Sequence, residues 1–103
     1  MKKENTLPIN AFYITYLRDR VALSPVSFLI YLMLLSRADS KTLTCFPSIE
    51  TICNDCKGVD RRTVWNCLNE LEKQAIIKTE RQKGKANIYT VEHFKRWKQN
   101  PTY

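Results

Sequence analysis

The chain has 103 residues, 44% of them hydrophobic and 11% aromatic, which predicts one folded domain and excludes a disordered or multidomain chain. Its 17 Lys and Arg residues outnumber 10 Asp and Glu residues, and the resulting net charge of +7 favours a polyanionic partner such as nucleic acid. The sequence has no signal-peptide pattern and no apolar run near the roughly 20 residues that cross a bilayer, so we expect a cytoplasmic protein without a membrane partner.

The positive charge is concentrated in the carboxyl-terminal third. Residues 1–41 carry six basic and three acidic groups, residues 42–75 carry four and five, and residues 76–103 carry seven and two. A partner that carries phosphate groups should therefore meet the last of these segments first.

The first predicted helix covers residues 26–38 and follows Ser24 and Pro25, which have the form of an N-cap and a first helical residue. Because residues 28–35 are apolar on almost every side, this helix must be covered from more than one direction. Residues 10–17 are the natural cover, but their pattern fits both a strand and a helix.

A short β-prone run at residues 42–46 precedes the second predicted helix, which Pro47 and Ser48 begin. Its apolar positions follow the i, i+3, i+4, i+7 spacing of one helix face. They are Ile49, Ile52, Cys53 and Cys56. Lys57 and Gly58 then break the helix.

The third predicted helix begins at Arg61, with Asp60 placed to act as its N-cap. Its apolar stripe consists of Val64, Cys67, Leu68 and Leu71. A tight turn that contains Gly58 joins it to the helix before. Such a pair is typical of a helix-turn-helix, whose second helix enters the major groove of DNA.

After Ala75 the pattern changes to an alternation of period two. Residues 77–82 and 88–91 predict two strands of a hairpin, and residues 83–87, which include two lysines, predict its turn. Residues 92–99 then predict a short closing helix.

This order of elements resembles the winged helix-turn-helix family. The stretches that carry the resemblance are residues 46–52, 58–64, 68–73 and 76–77. They are similar to the winged helix-turn-helix DNA-binding domains of plasmid and phage replication proteins and of small bacterial regulators. The resemblance implies a mainly α fold with a small β-hairpin (α+β), made of a three-helix core, a wing and a short carboxyl-terminal helix.

On this basis residues 1–103 form a single winged-helix domain. Its expected parts are an N-terminal extension (1–23), the winged-helix core (24–91) and a short helix with a tail (92–103). Relatives often carry Gly where this chain has Ala75, at the end of the third helix. Because Gly suits the left-handed residue that closes many helices, we expect this helix to end in a different turn.

The polar side of the third helix is the candidate DNA-reading surface. At about 100° per residue, the side chains opposite the apolar stripe are Arg62, Asn66, Asn69 and Lys73. Arg can pair with the O6 and N7 atoms of guanine and Asn with the N6 and N7 atoms of adenine, so we assign Arg62 and Asn66 to base edges. Lys73 is assigned to a phosphate. The alternative is an ordinary solvated helix face.

Further candidate DNA contacts flank this surface. Residues near helix starts and basic residues of the hairpin can meet phosphates. They are Ser48, Arg61, Thr63, Lys78, Arg81, Lys83 and Lys85. The alternative role for the hairpin cations is to prevent strand-to-strand aggregation. Trp65 is expected to pack against a neighbouring element and is left out of the site.

Cys53 and Cys56 have the CxxC spacing of a zinc knuckle, with Cys45 and Cys67 as further candidate ligands. However, three of the four lie on apolar helix stripes, where a reduced Cys is an ordinary core residue. We therefore expect no metal and no cofactor, and keep zinc binding as an alternative.

The sequence predicts a DNA-binding protein rather than an enzyme. Its one His, His93, has no evident nucleophile nearby and is expected at the surface, and no Gly-rich phosphate loop or small-molecule site is evident. The expected function is sequence-specific binding of double-stranded DNA in transcription or plasmid and phage replication control. The alternative is a protein-docking module or homodimer built on the N-terminal segment and first helix.

Overall fold

The computed structural model describes residues 11–99, which form five helices and one three-stranded sheet. In chain order these elements are α1 (Ala11–Arg20), α2 (Pro25–Arg37), β1 (Thr44–Cys45), α3 (Ile49–Asp55), α4 (Arg61–Lys73), β2 (Lys78–Glu80), β3 (Ile88–Thr90) and α5 (Glu92–Gln99). The start of the N-terminal extension (1–10) and the tail (100–103) lie outside the described residues. The architecture confirms the predicted mainly α winged helix-turn-helix fold.

The predicted cap of α2 is present. Ser24 is its N-cap, Pro25 is its first residue, and the Ser24 hydroxyl oxygen accepts a hydrogen bond of 3.2 Å from the Ser27 amide. The helix packs against α3, α4 and β1, which cover part of its apolar surface. None of the helices among residues 11–99 is long and apolar enough to cross a membrane.

The sheet places β3 between β1 and β2, and both pairings are antiparallel. Strands β2 and β3 are the predicted hairpin, in which Lys78 lies opposite Thr90. We call residues 78–90 the wing and residues 81–87 the wing tip. Tyr89 is buried in the core, so β3 anchors the wing to the body of the protein.

One core cluster joins every helix to β1 and β3. Its buried side chains include Tyr13, Leu17, Ile30, Tyr31, Leu34, Cys45, Ile52, Val64, Leu68, Leu71, Tyr89 and Phe94. The segment whose conformation the sequence left open is thus a helix, α1, and it covers α2 as expected. Both α1 and α5 contribute to the same core as residues 24–91.

A chain of buried hydroxyl groups ties α1, α2 and α5 together. The Phe94 amide donates to the Tyr31 hydroxyl oxygen at 3.0 Å, the two tyrosine hydroxyls lie 3.0 Å apart, and the Tyr13 hydroxyl lies 2.8 Å from His93 Nδ1. Burial raises the pKa of both tyrosines, that of Tyr31 to about 12, so both stay protonated.

His93 was expected at the surface, and that expectation is wrong. Its side chain is half-buried, and its ring lies against Tyr13, with the ring centroids 5.8 Å apart. Tyr13 donates to a neutral His93 when Tyr31 donates to Tyr13 and the Phe94 amide donates to Tyr31, an order that uses every proton. Burial and the nearby Arg96 lower the pKa of His93, which favours this neutral form.

The exit from α4 also differs from expectation. Ala75 has φ 59°, so this residue itself takes the left-handed conformation that usually selects Gly. The Ile76 amide bonds the Leu71 carbonyl at 2.9 Å and the Ala75 amide bonds the Glu72 carbonyl at 3.0 Å. These two bonds define a Schellman motif, the ordinary helix end that Ala75 was expected to change.

We predict that Ala75→Gly stabilises the protein by about 0.5–1 kcal/mol, because a Cβ is strained at a left-handed φ. Thermal unfolding should show a rise in Tm of roughly 2–8 °C. The matched control is Ala86→Gly in the exposed wing tip, where φ is not positive. A stabilisation of equal size by both changes, or by neither, would contradict a strained Ala75.

We predict that the free energy of unfolding falls as pH drops through the ordinary His pKa of 6.5, because the unfolded chain binds a proton that folded His93 resists. Stability is full above that pH and declines toward the lower, folded-state pKa. Urea denaturation at about pH 7.5 and about pH 5 should reveal the fall. In His93→Gln the two free energies should differ much less. An equal fall in both proteins would assign the effect to other groups.

Candidate nucleic-acid interface

Asp60 begins α4 as the sequence predicted. Its carboxylate accepts a hydrogen bond of 3.2 Å from the Thr63 amide and one of 2.6 Å from the Thr63 hydroxyl. These bonds lower the pKa of Asp60, so the cap stays charged at neutral pH. A negative charge at this position also complements the positive end of the helix dipole.

The predicted apolar stripe of α4 anchors the helix. Val64 and Leu71 are fully buried and Leu68 is 6% exposed, and the helix packs against α2 and α3. The hydrophobic effect therefore fixes the rotation of α4 about its own axis.

The opposite side of α4 points to solvent. We call its four predicted residues the polar face, and all four are exposed: Arg62, Asn66, Asn69 and Lys73. Helical geometry places them within an arc of about 60° along the full length of the helix. The structure thus brings together the central residues of the predicted reading surface, on the side of α4 that the core leaves free.

The turn between α3 and α4 sets the angle of this pair of helices. Lys57 and Gly58 both have positive φ, 64° and 86°, and the Gly58 amide bonds the Cys53 carbonyl at 2.8 Å. The predicted break at these residues is confirmed. Gly58 supplies the left-handed conformation without a Cβ penalty, which lets the chain reverse within a few residues.

The candidate contacts near the helix starts have partners within the protein. The Ser48 hydroxyl accepts from the Thr51 amide at 3.1 Å and caps α3. The Thr63 hydroxyl donates to Asp60, as described above. Arg61 Nη1 lies 3.2 Å from Glu50 Oε1, and both side chains are more than 60% exposed, so this pair is weak and open to competition from phosphate.

The wing presents cations at its surface. Lys78, Lys83 and Lys85 are all exposed, and Gly84 at the tip has φ 74°. Arg81 is also exposed, at 62%, and its Nη1 atom lies 3.4 Å from Glu72 Oε2 on α4. All four predicted wing cations are therefore at the surface, and Arg81 also contacts α4.

A cleft of about 120 Å³ separates α4 from the wing. Its lining residues include Trp65, Asn69, Glu72, Thr79, Arg81 and Asn87. It brings Asn69 of the polar face to the same cleft as Arg81 of the wing.

Trp65 was expected to pack against a neighbouring element, and the structure contradicts this: its side chain is 57% exposed. It lies about 60° from Arg62 around the helix, on the side of Asn69 and the wing. A large exposed aromatic ring here adds stacking surface beside the polar face. Trp65 follows Arg62 by three residues, and this helical spacing was the sequence signal that could have placed it beside the predicted reading surface.

The cysteines lie on packed surfaces. Cys45 and Cys56 are buried, and Cys53 and Cys67 are half-buried. Burial raises the pKa of the Cys45 thiol to about 12 and also raises that of Cys56, so both thiols are protonated at neutral pH. Within residues 11–99, His, Cys, Asp and Glu side chains form no group of three or more that could hold a metal ion, so the zinc alternative finds no ligand set there.

Comparison with known protein families finds a match over the helices of the proposed interface. The sequence model of a family described as a helix-turn-helix domain matches residues 22–77, more than half of the 103 residues. The matched segment contains α2, α3 and α4 and ends before β2. No curated protein and no solved structure matches the chain significantly.

Proposed function

The chain belongs to the helix-turn-helix domain family, and we propose that it binds double-stranded DNA in a sequence-specific way with α4 in the major groove. Membership of this family indicates DNA as the partner. The further steps, which concern the groove, the contacts and the biological role, rest on the surface of the protein.

The polar face of α4 is the observation that supports sequence-specific binding. It holds one Arg, two Asn and one Lys and no acidic residue, and the buried stripe holds it outward. Arg62 and Asn66 lie in the first half of the helix, from which side chains usually reach base edges. Asn69 lies farther along, and Lys73 lies at the end, where a phosphate is the better partner.

Contacts to the DNA backbone complete the proposed interface. Lys78, Lys83 and Lys85 extend from the wing, and Arg61 can exchange its exposed partner Glu50 for a phosphate. Trp65 is added to this set because its exposed ring can pack on a deoxyribose or a thymine methyl group.

In this proposal the protein acts by occupying its site. A bound duplex site is closed to polymerase or to a replication initiator, which gives control of transcription or of plasmid or phage replication. A homodimer through the N-terminal segment and the first predicted helix, which is α2, would need surface other than Tyr13 and Leu17, because both side chains are buried within the monomer.

The experiment that tests this function is selection of bound sequences from a pool of random duplexes, followed by footprinting of the recovered site. Sequence-specific binding predicts one recurring motif and protection of that motif. Recovery of duplexes without a motif would reduce the function to non-specific binding, and recovery of none would refute DNA binding.

We predict that Arg62→Ala and Asn66→Ala each weaken binding to the selected site by about 1–3 kcal/mol and relax the preference at one base pair, because each change removes a base-edge contact. Competition assays against single-base variants of the site would measure both effects. Lys95→Ala on α5 is the control for loss of one positive charge, and its effect should be small and equal for all duplexes. An unchanged base preference in both α4 variants would contradict their assignment.

We predict that Lys83→Glu with Lys85→Glu weakens binding to all duplexes alike. The negative slope of log affinity against log salt concentration should become less steep by about 2, one for each lost phosphate contact. Titrations over a range of salt concentrations would measure this slope. The same double charge reversal at Lys95 and Lys98 on α5 changes the net charge of the protein equally. It therefore separates the loss of direct phosphate contacts from the effect of net charge on binding. Equal slopes for the two variants would remove the wing from the interface.

A further inference from the structure

Glu72 links α4 to the wing. Its carboxylate oxygen Oε2 lies 3.4 Å from Arg81 Nη1 at the start of the wing tip. Its side chain is 33% exposed and lines the cleft between the helix and the wing, together with Thr79 of β2. The Thr79 hydroxyl and the Arg81 guanidinium lower the pKa of Glu72, so the carboxylate is charged when it meets Arg81.

The wing tip depends on this contact for its position. None of residues 81–87 is buried, and β2 contributes no buried side chain, so hydrophobic packing holds the wing only through β3. Beyond the paired strands, the Arg81 side chain connects the tip to α4. Lys83 and Lys85 follow Arg81 by two and four residues, and a hydrogen bond of 3.4 Å from the Lys85 amide to the Gln82 carbonyl closes the turn that carries them.

The charge of Glu72 is otherwise unfavourable for the proposed partner. It lies on the helix that would enter the groove, where a carboxylate repels DNA phosphates. Removing an acidic residue from such a surface normally strengthens binding to DNA. If Glu72 strengthens binding to DNA, it must therefore do so through its contact with Arg81 of the wing.

We propose that Glu72 is a positioning residue that fixes the wing against α4 so that Lys83 and Lys85 face the same duplex as the polar face. This inference rests on the proposed function. An ion pair this exposed contributes little to global stability, so the expected consequence of losing it is a less ordered wing tip in a protein that remains folded.

The test compares two substitutions of equal charge on one helix. Glu72→Ala removes the contact to the wing, whereas Glu70→Ala removes a carboxylate whose partner, at 2.7 Å, is Gln74, the C-cap of the same helix. We expect Glu72→Ala to bind the selected duplex about fivefold more weakly, while Glu70→Ala binds equally or more tightly because a repulsive charge is gone. Tighter or unchanged binding by Glu72→Ala would overturn the proposal.

The mechanism is tested by combining Glu72→Ala with Lys83→Ala and Lys85→Ala. If Glu72 acts by placing the two lysines, Glu72→Ala alone makes the negative slope of log affinity against log salt concentration less steep. In the protein that already lacks both lysines, Glu72→Ala then causes no further loss of affinity. A loss of affinity that adds to the lysine changes and leaves the slope unchanged would overturn the proposal in favour of a general structural role.

A measurement on the free protein separates this inference from the proposed function. Backbone ¹⁵N relaxation should show lower order parameters for residues 81–87 in Glu72→Ala than in Glu70→Ala, with the order of α4 unchanged. If the wild-type protein binds no duplex, the proposed function fails and these order parameters alone decide whether Glu72 holds the wing. Equal order parameters in the two variants would overturn the inference whatever the DNA result.

Discussion

The burial of one apolar stripe on α4 determines how the rest of the molecule is used. Val64, Leu68 and Leu71 pack toward α2 and α3, and this fixes the rotation of α4 about its axis. An α-helix is rigid at this length, so anchoring one side places the opposite side as well. The packing of the core therefore determines that the polar face of α4 is exposed to solvent.

Local signals in the sequence predicted much of the fold. The sequence predicted Ser24 and Asp60 as N-caps because a cap is a contact between residues three apart. Ser48 was predicted only to begin α3 with Pro47, and the structure adds that it is the N-cap. The conformation of α1 could not be predicted because its aromatic residues satisfy two periodicities, and only packing against α2 and α5 selects the helix. The end of α4 was mispredicted because Ala75 itself takes the left-handed conformation usually taken by Gly, in a Schellman motif that the Ile76 amide closes on the Leu71 carbonyl.

The candidate site was predictable in its residues and not in their partners. Helical spacing placed Arg62, Asn66, Asn69 and Lys73 on one face, since that depends only on the geometry of a single helix. The Arg81 and Glu72 pair joins two elements whose relative position the sequence does not state. The same reason explains the errors at Trp65 and His93, where the neighbouring elements decide exposure.

The first and last helices of the described protein, α1 and α5, both supply hydrogen-bond partners to the same buried tyrosine of α2. Tyr13 from α1 and His93 from α5 meet above Tyr31, which lies inside the segment that the family model matches. A fragment trimmed to residues 22–77 would keep α4 but lose α1 and α5, so the Tyr31 hydroxyl would lose both the Tyr13 hydroxyl and the Phe94 amide. The segment that the family model matches thus takes the partners of one buried hydroxyl group from the two helices that flank it.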